Sequence, residues 1–119
     1  MRGLILIAHG SKKDLSNNEF IDLVNEVKNK NRDFNEIQAA FLEFASPDIN
    51  TVVDDYLQKE FSEIYFYPYF LNSGKHVSVD LPNIIKNLEI SNPEVKFNLL
   101  THFGKSEKIS DIIINDITF

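Results

Sequence analysis

The sequence predicts an α/β fold of three layers, in which four parallel strands in the order 2-1-3-4 carry helices on both faces. Three observations lead there. Short apolar runs alternate with segments whose apolar residues recur at helical spacing, from one end of the 119-residue chain to the other. Each interval between runs holds one such helical segment, so successive strands lie parallel and are joined by right-handed crossovers. A hydrophobic content of 43% in this length fills one two- or three-layer core but not two.

Leu4 to Ala8 reads as a buried strand, and Phe20, Leu23, Val24 and Val27 then mark a helix whose opposite face carries Asn, Glu and Lys. Ile37 to Phe44 is the second apolar run. Ser46-Pro47-Asp48 supplies a capping residue with proline at an early helical position, before Val52, Val53, Tyr56 and Leu57 define a second helix. The aromatic-rich run Ile64 to Phe70 contains Pro68, which suits a strand end because proline donates nothing to a ladder. After the loop Asn72-Ser73-Gly74-Lys75, Leu81, Ile84, Ile85 and Leu88 signal a third helix with Asp80 and Pro82 near its start. Val95 to Leu100 gives the fourth strand, and Ile109, Ile112, Ile113 and Ile117 the fourth helix. No repeat, linker or low-complexity stretch interrupts this pattern. Residues 1–119 are therefore expected to form one domain, built as half of a flavodoxin-like sheet.

The formal net charge of −6 argues against a nucleic-acid surface, which needs clustered Lys and Arg. It does not forbid a small anionic ligand at a locally basic rim. The absence of cysteine excludes thiolate metal sites, disulfides, iron–sulfur clusters and a cysteine nucleophile together. Leu4 to Ala8 is too short for a membrane span or a signal segment, so a soluble, cytoplasmic protein is expected, with no membrane partner.

In open parallel sheets, ligands bind beyond the carboxyl ends of the strands. His9, with Gly10 and Ser11, ends the first strand, and Glu43 ends the second. Ser73 to His76 follow the third, and His102 ends the fourth. Two imidazoles and a carboxylate suit a borderline divalent cation such as cobalt, iron, nickel or zinc. A histidine with an ordinary pKa near ~6.5 also takes up protons close to neutrality, so the same groups can present a metal and act as bases.

Around these positions the chain resembles the CbiX-type (class II) sirohydrochlorin chelatases over nearly its whole length. The matching segments are Leu4-Ile5-Leu6-Ile7-Ala8-His9-Gly10-Ser11, Ala40-Phe41-Leu42-Glu43-Phe44-Ala45-Ser46-Pro47, Pro68-Tyr69-Phe70-Leu71-Asn72-Ser73-Gly74-Lys75-His76-Val77 and Asp80-Leu81-Pro82. A His-Gly-Ser alone carries little information; the segments in register are specific. The resemblance implies a chelatase-like fold of the short single-domain form. It further implies ATP-independent insertion of a divalent metal into sirohydrochlorin, serving cobalamin or sirohaem synthesis.

By the same resemblance, His9 and His76 are the metal-handling and catalytic histidines, and Glu43 completes the metal site. Cobalt is the first choice of metal, with iron and nickel as alternatives. Sirohydrochlorin is a polycarboxylate, so its pocket is expected to offer donors: Ser11, Ser73, Gly74 and Lys75, with Lys12, Lys13 and Lys105 along the same edge. Small members of the family match one lobe of a bilobal chelatase, which implies a homodimer.

Plainer roles stand beside these. A carboxylate at Glu43 can simply steady the next loop, Ser11 can serve as a loop hydrogen-bonder, and the lysines can form a solvated rim. The aromatic segment Tyr65 to Phe70 fits a core as readily as a surface for a ring. His102 has a suggestive position, but the family pattern does not require it. Two rival enzymes are disfavoured: phosphohistidine phosphatases need arginine where Ala8 stands, and no Gly-x-Ser-x-Gly elbow occurs. A non-catalytic metal or tetrapyrrole carrier is the alternative that uses the same histidines.

Overall fold

Four strands and four helices alternate along residues 1–119, all of which are described by the computed structural model. In chain order they are β1 (Arg2–Ala8), α1 (Asp14–Lys30), β2 (Glu36–Phe41), α2 (Ile49–Gln58), β3 (Glu63–Pro68), α3 (Leu81–Ser91), β4 (Lys96–Leu99) and α4 (Lys108–Asp116). All pairings are parallel and the strand order is β2-β1-β3-β4, as the alternation predicted. In-register pairs such as Leu6 with Ala39 and Leu6 with Tyr67 bring the carboxyl ends of β2, β1 and β3 level.

Because side chains alternate along a strand, each strand feeds two cores. Ile5, Ile7, Ile64, Phe66 and Phe97 point to the face covered by α2 and α3, where Val52, Val53, Tyr56, Leu81 and Ile85 meet them. Leu4, Leu6, Ile37 and Phe41 point to the other face and pack against Phe20 and Val24 of α1. The buried Tyr56 hydroxyl donates to the Leu4 carbonyl at 2.7 Å, so its one polar atom is satisfied inside the core. Burial raises the Tyr56 phenol well above its ordinary pKa.

Three local readings are corrected. The second apolar run does not stay in strand to Phe44: β2 stops at Phe41, and the chain runs through bends from residue 42 to residue 47. Pro47 is not inside α2. Asp48 is the N-cap, its carboxylate accepting from the Thr51 N–H at 2.8 Å, and Pro47 precedes it on a cis peptide bond. His76–Asp80 form a π-helical turn leading into α3, a wide turn that apolar periodicity does not reveal.

α4 also departs from the expected layer. Its isoleucines recur at helical spacing as predicted, yet it buries none of its residues. One face of the sheet therefore carries α2 and α3, and the other carries α1.

Candidate active site at the carboxyl edge of the sheet

The site begins where β1 and β2 run out. Their ladder continues past both strands: Leu42 donates to the Ala8 carbonyl at 3.0 Å and Glu43 to the His9 carbonyl at 2.9 Å. This keeps the backbones of residues 9 and 43 side by side. Gly10, at φ +94°, makes the approach possible, since a Cβ there would stand 1.8 Å from the Glu43 carbonyl oxygen. The His9 loop is tied down from α1, where the Asn17 side chain accepts from the Ser11 N–H at 2.9 Å and donates to the Ser11 carbonyl at 2.8 Å.

His9 lies with Nδ1 3.1 Å from the Gly10 carbonyl, which can only accept, so the neutral ring carries its proton there. Its Nε2 then faces the Glu43 carboxylate at 3.2 Å. His76 enters from the opposite side, its ring centroid 4.7 Å from that of His9. The Nδ1 of His76 is held by the Asp80 carboxylate at 2.8 Å, which leaves its Nε2 free. One ligand atom from each of His9, Glu43 and His76 lies within 4.8 Å of the others. Lone pairs so close repel one another unless a cation or a proton stands between them. The three residues are 38 to 49% exposed at the side chain, so an ion can reach them from solvent.

The wide turn is what aligns His76 with Asp80. The Leu81 N–H closes it on the His76 carbonyl, and the Gly74 carbonyl leads into it, accepting from the N–H groups of Val77 and Ser78 and from the Ser78 hydroxyl. A π turn places residues four apart close to one line, so His76 and Asp80 project together, and π turns recur at functional sites. A carboxylate behind a metal-binding imidazole fixes its tautomer and raises its basicity. Asp80 was read in the sequence as a helix start and as part of a matching segment, with no role at the site. Its signal was present in the four-residue spacing from His76.

A second missed residue is Phe44, next to Glu43. It holds φ +64°, and the Ala45 N–H closes a tight turn onto the Glu43 carbonyl at 2.8 Å. Bulky residues seldom adopt that backbone. The ring is 57% exposed and stands 5.8 Å from His9, with the Lys12 ammonium 5.3 Å above it. An apolar wall thus rises beside the ligand cluster, with a cation on its rim.

The other predicted residues separate into groups. The Ser11 hydroxyl accepts from the Lys13 N–H at 3.0 Å, as a loop hydrogen-bonder does. Ser73, Gly74 and Lys75 are exposed on the loop before His76, and Lys13 and Lys105 are exposed as well. His102 is not beside the other histidines: it is buried and shares a 3.2 Å hydrogen bond with the Ser73 hydroxyl, bracing the loop that leads to His76. Gly104 packs on the same loop, where a Cβ would collide with the Leu71 carbonyl.

A hollow of about 330 Å³ opens between His9 and His76, walled by Tyr69, Phe70, Leu71 and Val77. A larger hollow, about 720 Å³, runs along the β2 edge beside Glu36, Asp55 and Lys59, away from these histidines. Chemistry favours the smaller one. The larger is flanked by carboxylates already engaged by Lys59 and Gln38.

A family model described as CbiX matches residues 3–118. The sirohydrochlorin cobaltochelatase of Saccharolobus islandicus (strain Y.G.57.14 / Yellowstone #1) is 24% identical, with 98% of this chain and 94% of the relative covered. Among solved structures, a putative cobalamin biosynthesis CbiX protein from Marinobacter aquaeolei VT8 superposes with a TM-score of 0.83 at 25% identity, covering 98% of this chain and 94% of that one. The sirohydrochlorin chelatase SirB from Bacillus subtilis subspecies spizizenii, in complex with cobalt, gives a TM-score of 0.86 at 19% identity. The chain covers half of that protein, 50%, with 98% of its own length, a likeness of fold.

Proposed function

The chain belongs to the CbiX family, and from that premise we propose that it is a sirohydrochlorin chelatase, a lyase that inserts a divalent metal into the tetrapyrrole. The observation that carries the reading is the meeting of His9, Glu43 and His76 at one solvent-reachable edge. Three protein ligands leave positions open, which a delivery site requires, because a closed four-residue cage would hold the ion. Insertion exchanges the two pyrrole N–H protons of the macrocycle for the metal. His9 and His76 present the ion and accept those protons, and Glu43 offsets charge. Asp80 holds His76 with Nε2 toward the ring.

Cobalt is the metal assigned first, consistent with the cobaltochelatase relative; iron and nickel suit the same ligands. The hollow of about 330 Å³ is too small to enclose a tetrapyrrole, so it receives one part of the macrocycle and leaves the rest on the rim. Ser73, Gly74 and Lys75 on the loop before His76, together with Ser11 and Lys12, are the groups assigned to its carboxylates. Residues 1–119 act as one chelatase unit, and the coverage of half of SirB supports a homodimer in which two such units make the two-lobed assembly. The enzyme works in the cytoplasm in this reading; no helix is long and apolar enough to cross a membrane.

The test is anaerobic insertion of cobalt or ferrous iron into sirohydrochlorin, followed by absorbance. Catalysis above the spontaneous rate, lost in His76→Ala with circular dichroism unchanged, is the expected result. A rate equal to the spontaneous one, with stoichiometric metal binding retained, would assign the chain to the carrier class instead.

A further inference from the structure

Apart from Tyr56, whose hydroxyl is engaged inside the core, His102 is the only polar side chain that the fold buries, and the chemistry above leaves it unused. Its backbone is fixed on both sides. The β4 ladder runs on past the strand, with the Leu100 N–H donating to the Phe66 carbonyl at 2.9 Å, and the His102 carbonyl accepts from the Lys105 N–H at 3.1 Å to close the turn Phe103–Lys105. Its hydrogen-bond partner stands on a barer segment. Ser73 belongs to the run Leu71 to Lys75, exposed at every residue, between the end of β3 and the π turn that carries His76.

Residues 102–104 grip the start of this loop. The Gly104 N–H donates to the Phe70 carbonyl at 2.8 Å, a Cβ at Gly104 would collide with the Leu71 carbonyl, and the Phe103 ring packs 5.2 Å from that of Tyr69. These contacts hold the chain as far as Leu71. Past it, the Gly74 carbonyl bonds only within the turn, to Val77 and Ser78. The 3.2 Å hydrogen bond between the Ser73 hydroxyl and the His102 Nε2 is thus the last tie to another element before His76, three residues on. A buried imidazole gives up its water, and a leucine would fill the same space without that loss. What the histidine adds is the hold on Ser73. One such bond shifts an equilibrium by roughly 2- to 12-fold, enough to set the population of a loop arrangement but not to decide the fold.

We propose that His102 is a positioning residue for metal presentation: its Nε2–H donates to the Ser73 hydroxyl and so holds the loop in the arrangement that keeps His76 opposite His9 and Glu43. A hydroxyl has one proton and two lone pairs, so this direction leaves the Ser73 proton free to face an anionic group of the ligand. The assignment rests on the reading of His9, Glu43 and His76 as the metal-presenting set, and it adds a fourth residue that touches neither metal nor macrocycle.

Calorimetry with cobalt chloride on His102→Leu, His102→Gln, Ser73→Ala and the double variant His102→Leu with Ser73→Ala tests it. His102→Leu and Ser73→Ala are each expected to bind cobalt about 3- to 10-fold more weakly, and the double variant no more weakly than either, because one hydrogen bond is lost in all three. His102→Gln, which carries an N–H donor to nearly the same place, is expected to recover most of the affinity. Wild-type affinity in His102→Leu, or losses that add in the double variant, overturns the proposal. Equal losses in the Leu and Gln variants with a lowered melting temperature also overturn it, since His102 then serves only the core. Should His102→Leu fail to fold, Ser73→Ala at its exposed position decides, and wild-type affinity there overturns the proposal. The chain has three histidines, so ring 15N spectra of the metal-free protein give a second measure. The His76 signals are expected to move in His102→Leu; unmoved signals overturn the proposal even if the wild type takes up no cobalt. Cobalt binding without insertion above the spontaneous rate would defeat the chelatase reading and leave the role of His102 standing.

Discussion

The Nδ1 of His76 lies 2.8 Å from the carboxylate of Asp80, four residues further along the same π turn. A carboxylate can only accept, so it fixes the imidazole proton on Nδ1 and turns the Nε2 lone pair outward. Asp80→Asn keeps the shape and offers an amide N–H₂ to the same nitrogen, which favours the opposite tautomer. Metal insertion is expected to fall by roughly 10- to 100-fold, as for other carboxylates behind a metal-binding histidine. Titration calorimetry with cobalt should show weaker binding at unchanged melting temperature. Wild-type affinity in that variant would remove Asp80 from the site.

Gly10 is the hinge on which the two ligand loops meet. Its φ of +94° and the 1.8 Å separation between a built Cβ and the Glu43 carbonyl mean that Gly10→Ala must push the loops apart. The backbone penalty alone is about 1–3 kcal/mol. Loss of cobalt binding is expected together with a lower urea midpoint. Gly74→Ala is the control, because a Cβ there meets nothing within 4 Å, and its stability should stay close to wild type.

Most of this architecture could be read before any coordinates. The four strands, their parallel order and the gathering of His9, Glu43 and His76 follow from apolar runs and from the rule that loops at carboxyl ends converge. What escaped the reading is local geometry. The π turn at His76–Asp80 is closed by the Leu81 N–H donating to the His76 carbonyl five residues back, which periodicity does not encode. The positive φ of Phe44 is imposed by a tight turn that a bulky residue does not advertise. The position of α4 was misread for a different reason: amphipathic spacing shows that a helix has an apolar side, and says nothing of what covers it.

Asp48 caps α2 and makes a pH-dependent contribution of known sign. The hydrogen bond from Thr51 to its carboxylate holds its pKa below the usual aspartate range. A group whose pKa is lower in the folded state stabilises fully above its unfolded pKa, near ~3.9, and loses that contribution as pH falls through the folded value. Asp48→Ala is expected to cost about 1 kcal/mol at pH 7. The gap between wild type and variant should narrow below about pH 4, as the wild-type carboxylate takes up its proton. Urea denaturation at pH 7 and pH 3 measures it. Asp48→Asn, which caps without titrating, should show no such narrowing.

Phe44 offers a case in which stability and function should part. Its side chain is 57% exposed, so removing it uncovers little core, while its φ of +64° is a backbone that glycine adopts without strain. Relief of that strain is worth about 1–3 kcal/mol, against an entropic cost of about 0.5–1 kcal/mol for introducing glycine. Phe44→Gly is therefore expected to match or exceed the wild-type melting temperature. The same change strips the apolar wall next to His9 and frees Lys12, which now lies 5.3 Å above the ring. In the chelatase assay it should raise KM for the tetrapyrrole several-fold and leave cobalt affinity unchanged, because no metal ligand has moved. A destabilised variant with unchanged KM would show instead that Phe44 props up the fold and takes no part in receiving the macrocycle.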